Sequence, residues 1–263
     1  MITIKYLQNK KAEGEKFAAL TAYDYLTARV IDEAGVELIL VGDTLGVVVY
    51  GYESTVYVTM DDMVRHTKAV ANGIKNSLLI SDMPFMSYHT SLKDTLINAG
   101  LLIKAGAKGV KAEGATPFVL KSISRMVEAG ILVIGHIGFT PQQINRIGGN
   151  IIQGKSKDMA EKLKEDALKL QDAGVGALVL ELIPESLGKE ITSNLTIPTI
   201  GIGAGRYCDG QILVTHDLLG LYTDFTPKFL KRYANLNTTI KNAVAVYRKD
   251  VLSGKFPTKD NIY

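Results

Sequence analysis

The chain has 263 residues, 46% of them hydrophobic, which is enough for one large core and suits a single α/β barrel domain. Lys and Arg total 30 and Asp and Glu 27, so the net charge is only +3 with no basic block, which argues against a nucleic-acid partner. Cys208 is the only cysteine, which excludes an intramolecular disulfide framework, and no apolar run approaches the length of a membrane span.

Residues 1–16 are broken up by Lys and Glu and lack the continuous apolar stretch of a signal peptide, so the expectation is a soluble cytoplasmic protein with no membrane partner. From there a unit recurs. A helix-period segment ends in Ala-Gly and a short apolar run follows, at Ala34-Gly35, Ala105-Gly106, Ala129-Gly130 and Ala173-Gly174, with Asn72-Gly73 as a variant. Glycine just past a helix takes the left-handed conformation without a Cβ penalty, and the chain then enters a strand. Such alternation predicts βαβ units and a parallel sheet.

In chain order the strands are expected at residues 18–20, 37–41, 78–81, 109–111, 132–135, 177–181, 199–201 and 212–214. That is eight, the number that closes a TIM (β/α)8 barrel, whose usual length of about 250 residues fits. The helices between them are amphipathic: Met159, Leu163, Ala167 and Leu170 form one stripe with Lys and Glu opposite, and residues 92–104 and 118–128 behave alike. A doubly wound open sheet would want a glycine-rich turn after the first strand, and residues 17–24 hold no glycine.

Two connections are long. Residues 45–60 alternate as a strand pair does and are expected to form a hairpin or flap over the barrel mouth. Residues 139–156 are rich in Gly and Gln, with a bend at Gly148-Gly149. Long ordered loops at strand ends are usually functional. The expected domain is thus a single barrel over 1–263 with a C-terminal helical extension from about 227, helical at 231–251, that caps the barrel or meets another subunit.

Catalytic groups of barrels sit at the C-terminal strand ends, and strand residues alternate between the interior and the helix layer. Lys111 and Glu113 share an inward face, Val179 and Glu181 another, and His136 is inward at its strand end; Asp43 and Asp82 close their own strands. Each has a plainer explanation: a helix N-cap for an Asp after a strand, a Lys111–Glu113 pair, a hydrogen-bonded core histidine. Glu181, flanked by Leu180 and Leu182, is hardest to explain that way, because burying a carboxylate without function is costly. Together these residues point to one shared site.

Carboxylates without a Cys or His cluster favour a hard cation such as Mg²⁺, completed by water and substrate. A 2-oxo acid can chelate it, its ketone is then polarised, and the C3 proton becomes removable by a base such as Glu181. Lys111 supplies fixed positive charge, with a Schiff-base role as the alternative. The run Gly201-Ile202-Gly203-Ala204-Gly205-Arg206 suits either a phosphate cradle or close backbone packing, and Thr215-His216-Asp217 reads as a turn and helix cap. Cys208 reads as a small, semi-buried residue.

Several ordered blocks carry a family likeness. They include Thr21-Ala22-Tyr23-Asp24, Val41-Gly42-Asp43-Thr44-Leu45-Gly46, Asp82-Met83-Pro84-Phe85, Lys111-Ala112-Glu113-Gly114, Gly135-His136-Ile137-Gly138, Pro141-Gln142, Gln153-Gly154, Pro198-Thr199-Ile200-Gly201 and Cys208-Asp209-Gly210-Gln211. With them the chain closely resembles the ketopantoate hydroxymethyltransferase family almost from end to end. The resemblance implies a TIM barrel that binds one Mg²⁺ and uses 5,10-methylenetetrahydrofolate to hydroxymethylate 3-methyl-2-oxobutanoate, giving 2-dehydropantoate for pantothenate and coenzyme A synthesis. It implies Asp43 and Asp82 as metal ligands with Glu113 in the same sphere. Asp43, Thr44, Asp82, Lys111 and His136 would contact substrate, and Glu181 would accept the proton. It also implies a homodecamer. Thr44 stands where the family usually has Ser, Ala115 where a second Gly is usual, Tyr57 where Pro is common and Asn150 where an aromatic is. The site residues alone equally suit a Mg²⁺-dependent lyase acting beside a 2-oxo acid. A non-catalytic keto-acid binder would have no use for an inward Glu181.

Overall fold

In a computed structural model of the chain, which describes every residue except Asn150 and Phe225, eight parallel strands close into a barrel in sequence order. The chain begins with α1 (Ile4–Ala12) and then runs β1 (Phe17–Thr21), α2 (Tyr25–Glu33), β2 (Leu38–Val41), α3 (Leu45–Val48), α4 (Met60–Gly73), β3 (Leu78–Asp82), α5 (Leu92–Lys104), β4 (Gly109–Glu113) and α6 (Pro117–Glu128). It continues through β5 (Leu132–Gly138), α7 (Ile144–Ile147), α8 (Lys157–Asp172), β6 (Ala177–Glu181), α9 (Glu185–Asn194), β7 (Thr199–Ile202) and β8 (Gly210–Leu213). All eight strands expected from the apolar runs are present.

Strand alternation sorts the core into two layers. Leu38, Leu40, Ile80, Ile134 and Val179 fill the barrel, while Ile39, Val41, Val110, Ala112, Leu178 and Leu180 face the helices. The Ala-Gly units end their helices as expected: Gly35, Gly106, Gly130 and Gly174 all have positive φ. The Asn72-Gly73 variant differs. Gly73 is the last residue of α4, and a Cβ there would lie 2.5 Å from the Tyr25 carbonyl oxygen, so this glycine serves the close approach of α4 to α2.

Helix α1 has no counterpart in the sequence-based expectations. Its single buried residue, Leu7, is fully enclosed and packs into the barrel interior. Lys11 Nζ, 2.8 Å from Asp209 Oδ2, and the Ile2 N–H, donating to Asn76 O, fix it at the N-terminal strand ends. With only Leu7 and Ile4 turned to the barrel, a segment otherwise dominated by Lys, Gln and Asn gives too weak a periodic signal.

Residues 45–60 correct the hairpin expectation. They form α3 and a 3₁₀ turn at Thr55–Tyr57, with no strand. Short apolar runs cannot separate strand from helix by alternation alone. Here the backbone bonds are helical, from Val48 N to Thr44 O and Val49 N to Leu45 O. The segment closes through a side chain: Val58 packs so tightly on Gly46 that a Cβ there would meet Val58 Cγ2 at 2.6 Å.

The barrel and its helices, Met1–Val214, form one compact unit, and Thr215–Tyr263 form a second. The second contains α10 (Thr215–Leu218) and α11 (Leu236–Leu252), so 215–217 lie within a short helix and not in the turn and cap expected there. Helix α11 starts later than expected because the Asn235 side chain caps it, accepting from Thr238 N. Among the described residues no helix is long and apolar enough to cross a membrane.

Candidate active site

Register brings the polar strand ends together. Asp82 pairs with Lys111, Glu113 with His136, and Gly138 with Glu181. Strand β5 runs past its neighbour only because residue 138 is glycine: its φ is +97°, and a Cβ would fall 2.1 Å from the Glu181 carbonyl oxygen. Phe139 N donates to that same oxygen at 2.8 Å, which holds the end of β6 beside His136. The next residue, Leu182, has a left-handed backbone (φ +46°). Its N–H donates to Ile202 O and its carbonyl accepts from Gln153 N. Strained backbone of this kind clusters at functional sites.

The six residues singled out by strand parity and by strand ends come together. The Asp43 N–H donates to Asp82 Oδ2 at 3.0 Å. Lys111 Nζ lies 3.0 Å from Asp82 Oδ1, 3.4 Å from Glu113 Oε1 and 3.2 Å from His136 Nδ1. His136 reaches Glu113 Oε1 through Nδ1 at 3.4 Å and Glu181 Oε2 through Nε2 at 3.2 Å. Asp43, Asp82, Lys111, Glu113 and His136 are all buried, whereas the Glu181 side chain keeps 17% of its surface exposed. Thr44 sits beside them at the start of α3, its Oγ1 2.7 Å from the Tyr23 hydroxyl.

Three buried acids share one lysine, and their proton affinities record the imbalance. Burial and the neighbouring Asp82 and Glu113 push the Asp43 carboxyl well above the usual carboxylate range. Burial also raises Asp82, against the opposing pull of Lys111 and the Asp43 N–H. For Glu113, burial is outweighed by Lys111, His136 and the Gln142 N–H, and its carboxyl is held at about 2. Burial and Lys111 would lower His136, but contacts with Glu113 and Glu181 win and raise it to about 9. His136 is therefore an imidazolium near neutral pH, and its close approach to the Lys111 ammonium is held by the carboxylates around both.

Two buried atoms here, Asp82 Oδ1 and His136 Nε2, lack a well-formed hydrogen bond among the described residues. Their neighbours Lys111 and Glu181 are near enough but badly aligned. An under-satisfied carboxylate oxygen beside a second acid whose ionisation is suppressed fits a hard cation, which would relieve both. No group of three His, Cys, Asp or Glu among the described residues forms a ready-made metal shell. Mg²⁺ does not need one, since one or two carboxylates with water and substrate oxygens suffice. Asp43 and Asp82 would be the pair to hold it. Glu113 turns elsewhere, Oε1 toward Lys111 and His136 and Oε2 accepting from Gln142 N at 3.2 Å.

Sequence reasoning missed the two residues that brace these acids. Gln142 Nε2 donates both to Asp43 Oδ2 and to Met83 O at 2.9 Å, and its Oε1 accepts the Tyr88 hydroxyl at 2.9 Å. The Tyr88 hydroxyl in turn accepts from Glu113 N at 2.9 Å. Both side chains sit in loops, where parity gives no signal. The only hint was the Pro141-Gln142 block. The glycine-rich run after β7 resolves in favour of packing: a Cβ on Gly205 would strike Glu185 at 2.4 Å, and one on Gly201 the Cys208 sulfur at 2.9 Å. Cys208 itself is buried. Of the four family departures, Thr44 bonds to Tyr23, Tyr57 is exposed in the 3₁₀ turn, Ala115 follows Gly114 beyond β4, and Asn150 lies outside the described residues.

The sequence profile described as ketopantoate hydroxymethyltransferase matches residues 1–259. Proteins named 3-methyl-2-oxobutanoate hydroxymethyltransferase are similar throughout. The one from Acetivibrio thermocellus is 52% identical, covering 99% of this chain and 92% of its own, and that from Caldicellulosiruptor bescii is 50% identical, covering 100% and 99%. Among solved structures, a phosphonopyruvate hydrolase in complex with oxalate and Mg++ superposes with a TM-score of 0.64 at 13% identity, over 99% of this chain and 93% of that one. A 2,3-dimethylmalate lyase gives 0.64 at 15%, with the same coverage. At such identities the likeness to these structures is one of fold.

Proposed function

Because the chain belongs to the ketopantoate hydroxymethyltransferase family, whose named reaction lies in pantothenate biosynthesis, we propose that its barrel mouth transfers a hydroxymethyl group from 5,10-methylenetetrahydrofolate to C3 of 3-methyl-2-oxobutanoate, forming 2-dehydropantoate. The observation that carries the reading is the chain of contacts by which Asp43, Asp82, Lys111, Glu113, His136 and Glu181 each reach the next at the barrel mouth.

Asp43 and Asp82 hold Mg²⁺ in this reading, with Glu113 behind them through water. When bound, the ion supplies Lewis acidity toward the carboxylate and ketone oxygens of the 2-oxo acid. Thr44 offers its hydroxyl to the keto acid. Lys111, whose ammonium is stabilised by Asp82 and Glu113, supplies fixed positive charge to an acid that gains negative charge when C3 is deprotonated. Glu181 takes the C3 proton. Its partial exposure suits that role, since the carboxylate can meet substrate and later release the proton to water. His136 Nε2 stands 3.2 Å from Oε2 of Glu181, and in this reading the other oxygen faces the substrate. The C3 carbanion equivalent then forms the new carbon–carbon bond to the one-carbon unit, water supplies the hydroxyl oxygen, and tetrahydrofolate leaves.

The test has two arms. With Mg²⁺ in D₂O, the protein should exchange the C3 hydrogen of 3-methyl-2-oxobutanoate without any folate, followed by proton NMR. With 5,10-methylenetetrahydrofolate added it should form 2-dehydropantoate. A folded, metal-loaded protein that does neither defeats the proposal. Carbon–carbon cleavage of a 2-oxo acid without folate would favour the lyase reading instead. We extend the same reading to a cytoplasmic homodecamer, which the family resemblance implies.

A further inference from the structure

Thr44 stands at the N-terminal end of α3 and does not cap it. A threonine there ordinarily accepts from the N–H of the second or third helical residue. Here those donors are already engaged: Gly46 N donates to Asp43 O at 3.0 Å and Val47 N to Thr44 O at 2.9 Å, and the Thr44 side chain makes no cap bond. Its Oγ1 turns instead to the Tyr23 hydroxyl, 2.7 Å away. Gly42 makes room for this. A Cβ at Gly42 would lie 2.7 Å from Thr44 Oγ1 and 3.6 Å from Asp82 Oδ2, so the hydroxyl and the acid border the same gap.

Tyr23 is itself held from two sides. It is buried, and Ala22 N donates to Leu40 O at 3.0 Å, which keeps it beside the end of β2. Its carbonyl accepts from His66 Nδ1 at 2.5 Å. Nε2 of that ring lies 2.9 Å from the Tyr50 hydroxyl, and Tyr50 N donates to Leu45 O at 3.1 Å. Tyr23 thus reaches α3 at both ends, at Thr44 through its own hydroxyl and at Tyr50 through His66 on α4. A phenol gripped in this way cannot swing away from Thr44 without breaking the His66 bond or leaving the core.

We propose that Tyr23 is a positioning residue for the keto acid, acting through Thr44; this rests on the transferase reading above, in which the Thr44 hydroxyl meets that substrate. A hydroxyl has one hydrogen and two lone pairs. A Thr44 hydroxyl that gave its hydrogen to Tyr23 would turn only lone pairs toward an anionic substrate. The phenol is the more acidic partner, so Tyr23 donates, and Thr44 keeps its own hydrogen for an oxygen of the 2-oxo acid. Accepting one bond also polarises Thr44 as the donor of the next.

A double-mutant cycle tests this through binding. 3-Methyl-2-oxobutanoate is titrated calorimetrically, with Mg²⁺ present, into wild type, Tyr23→Phe, Thr44→Val and the double variant. Tyr23→Phe should weaken binding about 3- to 10-fold, and Thr44→Val at least as much. The double variant should bind no more weakly than Thr44→Val, because the two side chains act as one unit. In turnover, Tyr23→Phe should raise the keto-acid KM by the same factor, with a smaller effect on kcat. Wild-type affinity in Tyr23→Phe, losses that multiply in the double variant, or a loss confined to kcat each overturn the positioning role and leave the transferase reading standing. A wild type that binds the keto acid but forms no 2-dehydropantoate overturns the transferase reading alone, and one that binds no keto acid overturns both. Should Tyr23→Phe fail to fold, 3-fluorotyrosine at position 23 keeps ring and hydroxyl. Its fluorine resonance should move when the wild-type background is saturated with keto acid and stay in place in Thr44→Val; an equal movement in both overturns the proposal.

Discussion

The Gln142 carboxamide donates to Asp43 Oδ2 at 2.9 Å, and its orientation is set from behind by the Tyr88 hydroxyl. With Nε2 committed to Asp43 and to Met83 O, and Oε1 to Tyr88, the amide has one arrangement only. It therefore fixes which Asp43 oxygen remains to face a ligand. Residues that orient metal-binding groups in this way typically change affinity by about 10- to 100-fold when lost. Gln142→Leu should weaken Mg²⁺ binding on that scale, with Tyr88→Phe intermediate, read by calorimetry or by Mn²⁺ paramagnetic resonance. Unchanged affinity in Gln142→Leu would mean that the bond only packs the loop.

Glu181→Gln removes the base and keeps its shape. C3 hydrogen exchange should fall by about 10²- to 10⁴-fold. Keto-acid and metal binding should survive, because Asp43, Asp82 and Lys111 are untouched. A Glu181→Gln variant that exchanges at the wild-type rate would return the proton-acceptor role to another residue.

Asp32, at the end of α2, has a purely structural part. It accepts from Lys75 N at 3.0 Å, Asn76 N at 2.9 Å, and Ser77 N and Oγ at 2.7 and 2.8 Å, which ties the helix to the entry of β3. Burial alone would raise its carboxyl, but these donors outweigh it and hold it below the ordinary carboxylate range. A depressed folded-state pKa stabilises fully above the unfolded value near 3.9 and is lost as pH falls through the folded value. Asp32→Asn should therefore cost about 1–3 kcal/mol at pH 7, with the gap to wild type narrowing below about pH 4. Urea midpoints measured between pH 7 and pH 3 would show a constant gap if Asp32 were unimportant to the fold.

Leu7 plugs the barrel at the end away from the site. Leu7→Ala should cost about 2–5 kcal/mol by leaving a cavity among Phe17, Ala19 and Ile212. Thermal denaturation should register this loss. Metal affinity and C3 exchange at 25 °C should hold near wild type. Lost exchange in a folded variant would tie α1 to the mouth.

Helix α11 leaves Ile240, Val244, Tyr247 and Val251 exposed on one stripe. In a homo-oligomer such a stripe is buried against another copy. Sedimentation should find wild type well above monomer mass, and Val244→Glu should lower the mass if α11 lies in an interface. A monomeric wild type would remove the decamer from the proposed function.

How much of this was legible before folding divides along physical lines. Period and parity are local properties of the chain. Apolar runs therefore located all eight strands, four of them behind Ala-Gly stops, and alternation aimed Lys111, Glu113, His136 and Glu181 at one another from three blocks far apart in sequence. What depended on contact between loops had no such local trace. The Gln142–Tyr88 brace joins two irregular segments, α1 is held by a few contacts such as Leu7 and the Lys11–Asp209 pair, and residues 45–60 fold through a Val58–Gly46 contact that alternation mistook for a hairpin. The sequence thus determined which acids and bases share the mouth, because a strand's pleat leaves each residue only two directions. Tertiary structure alone decided how they divide their charge. It set Glu113 against Lys111 and His136, raised the proton affinity of Asp43 and Asp82, and did so through distances that no spacing along the chain encodes.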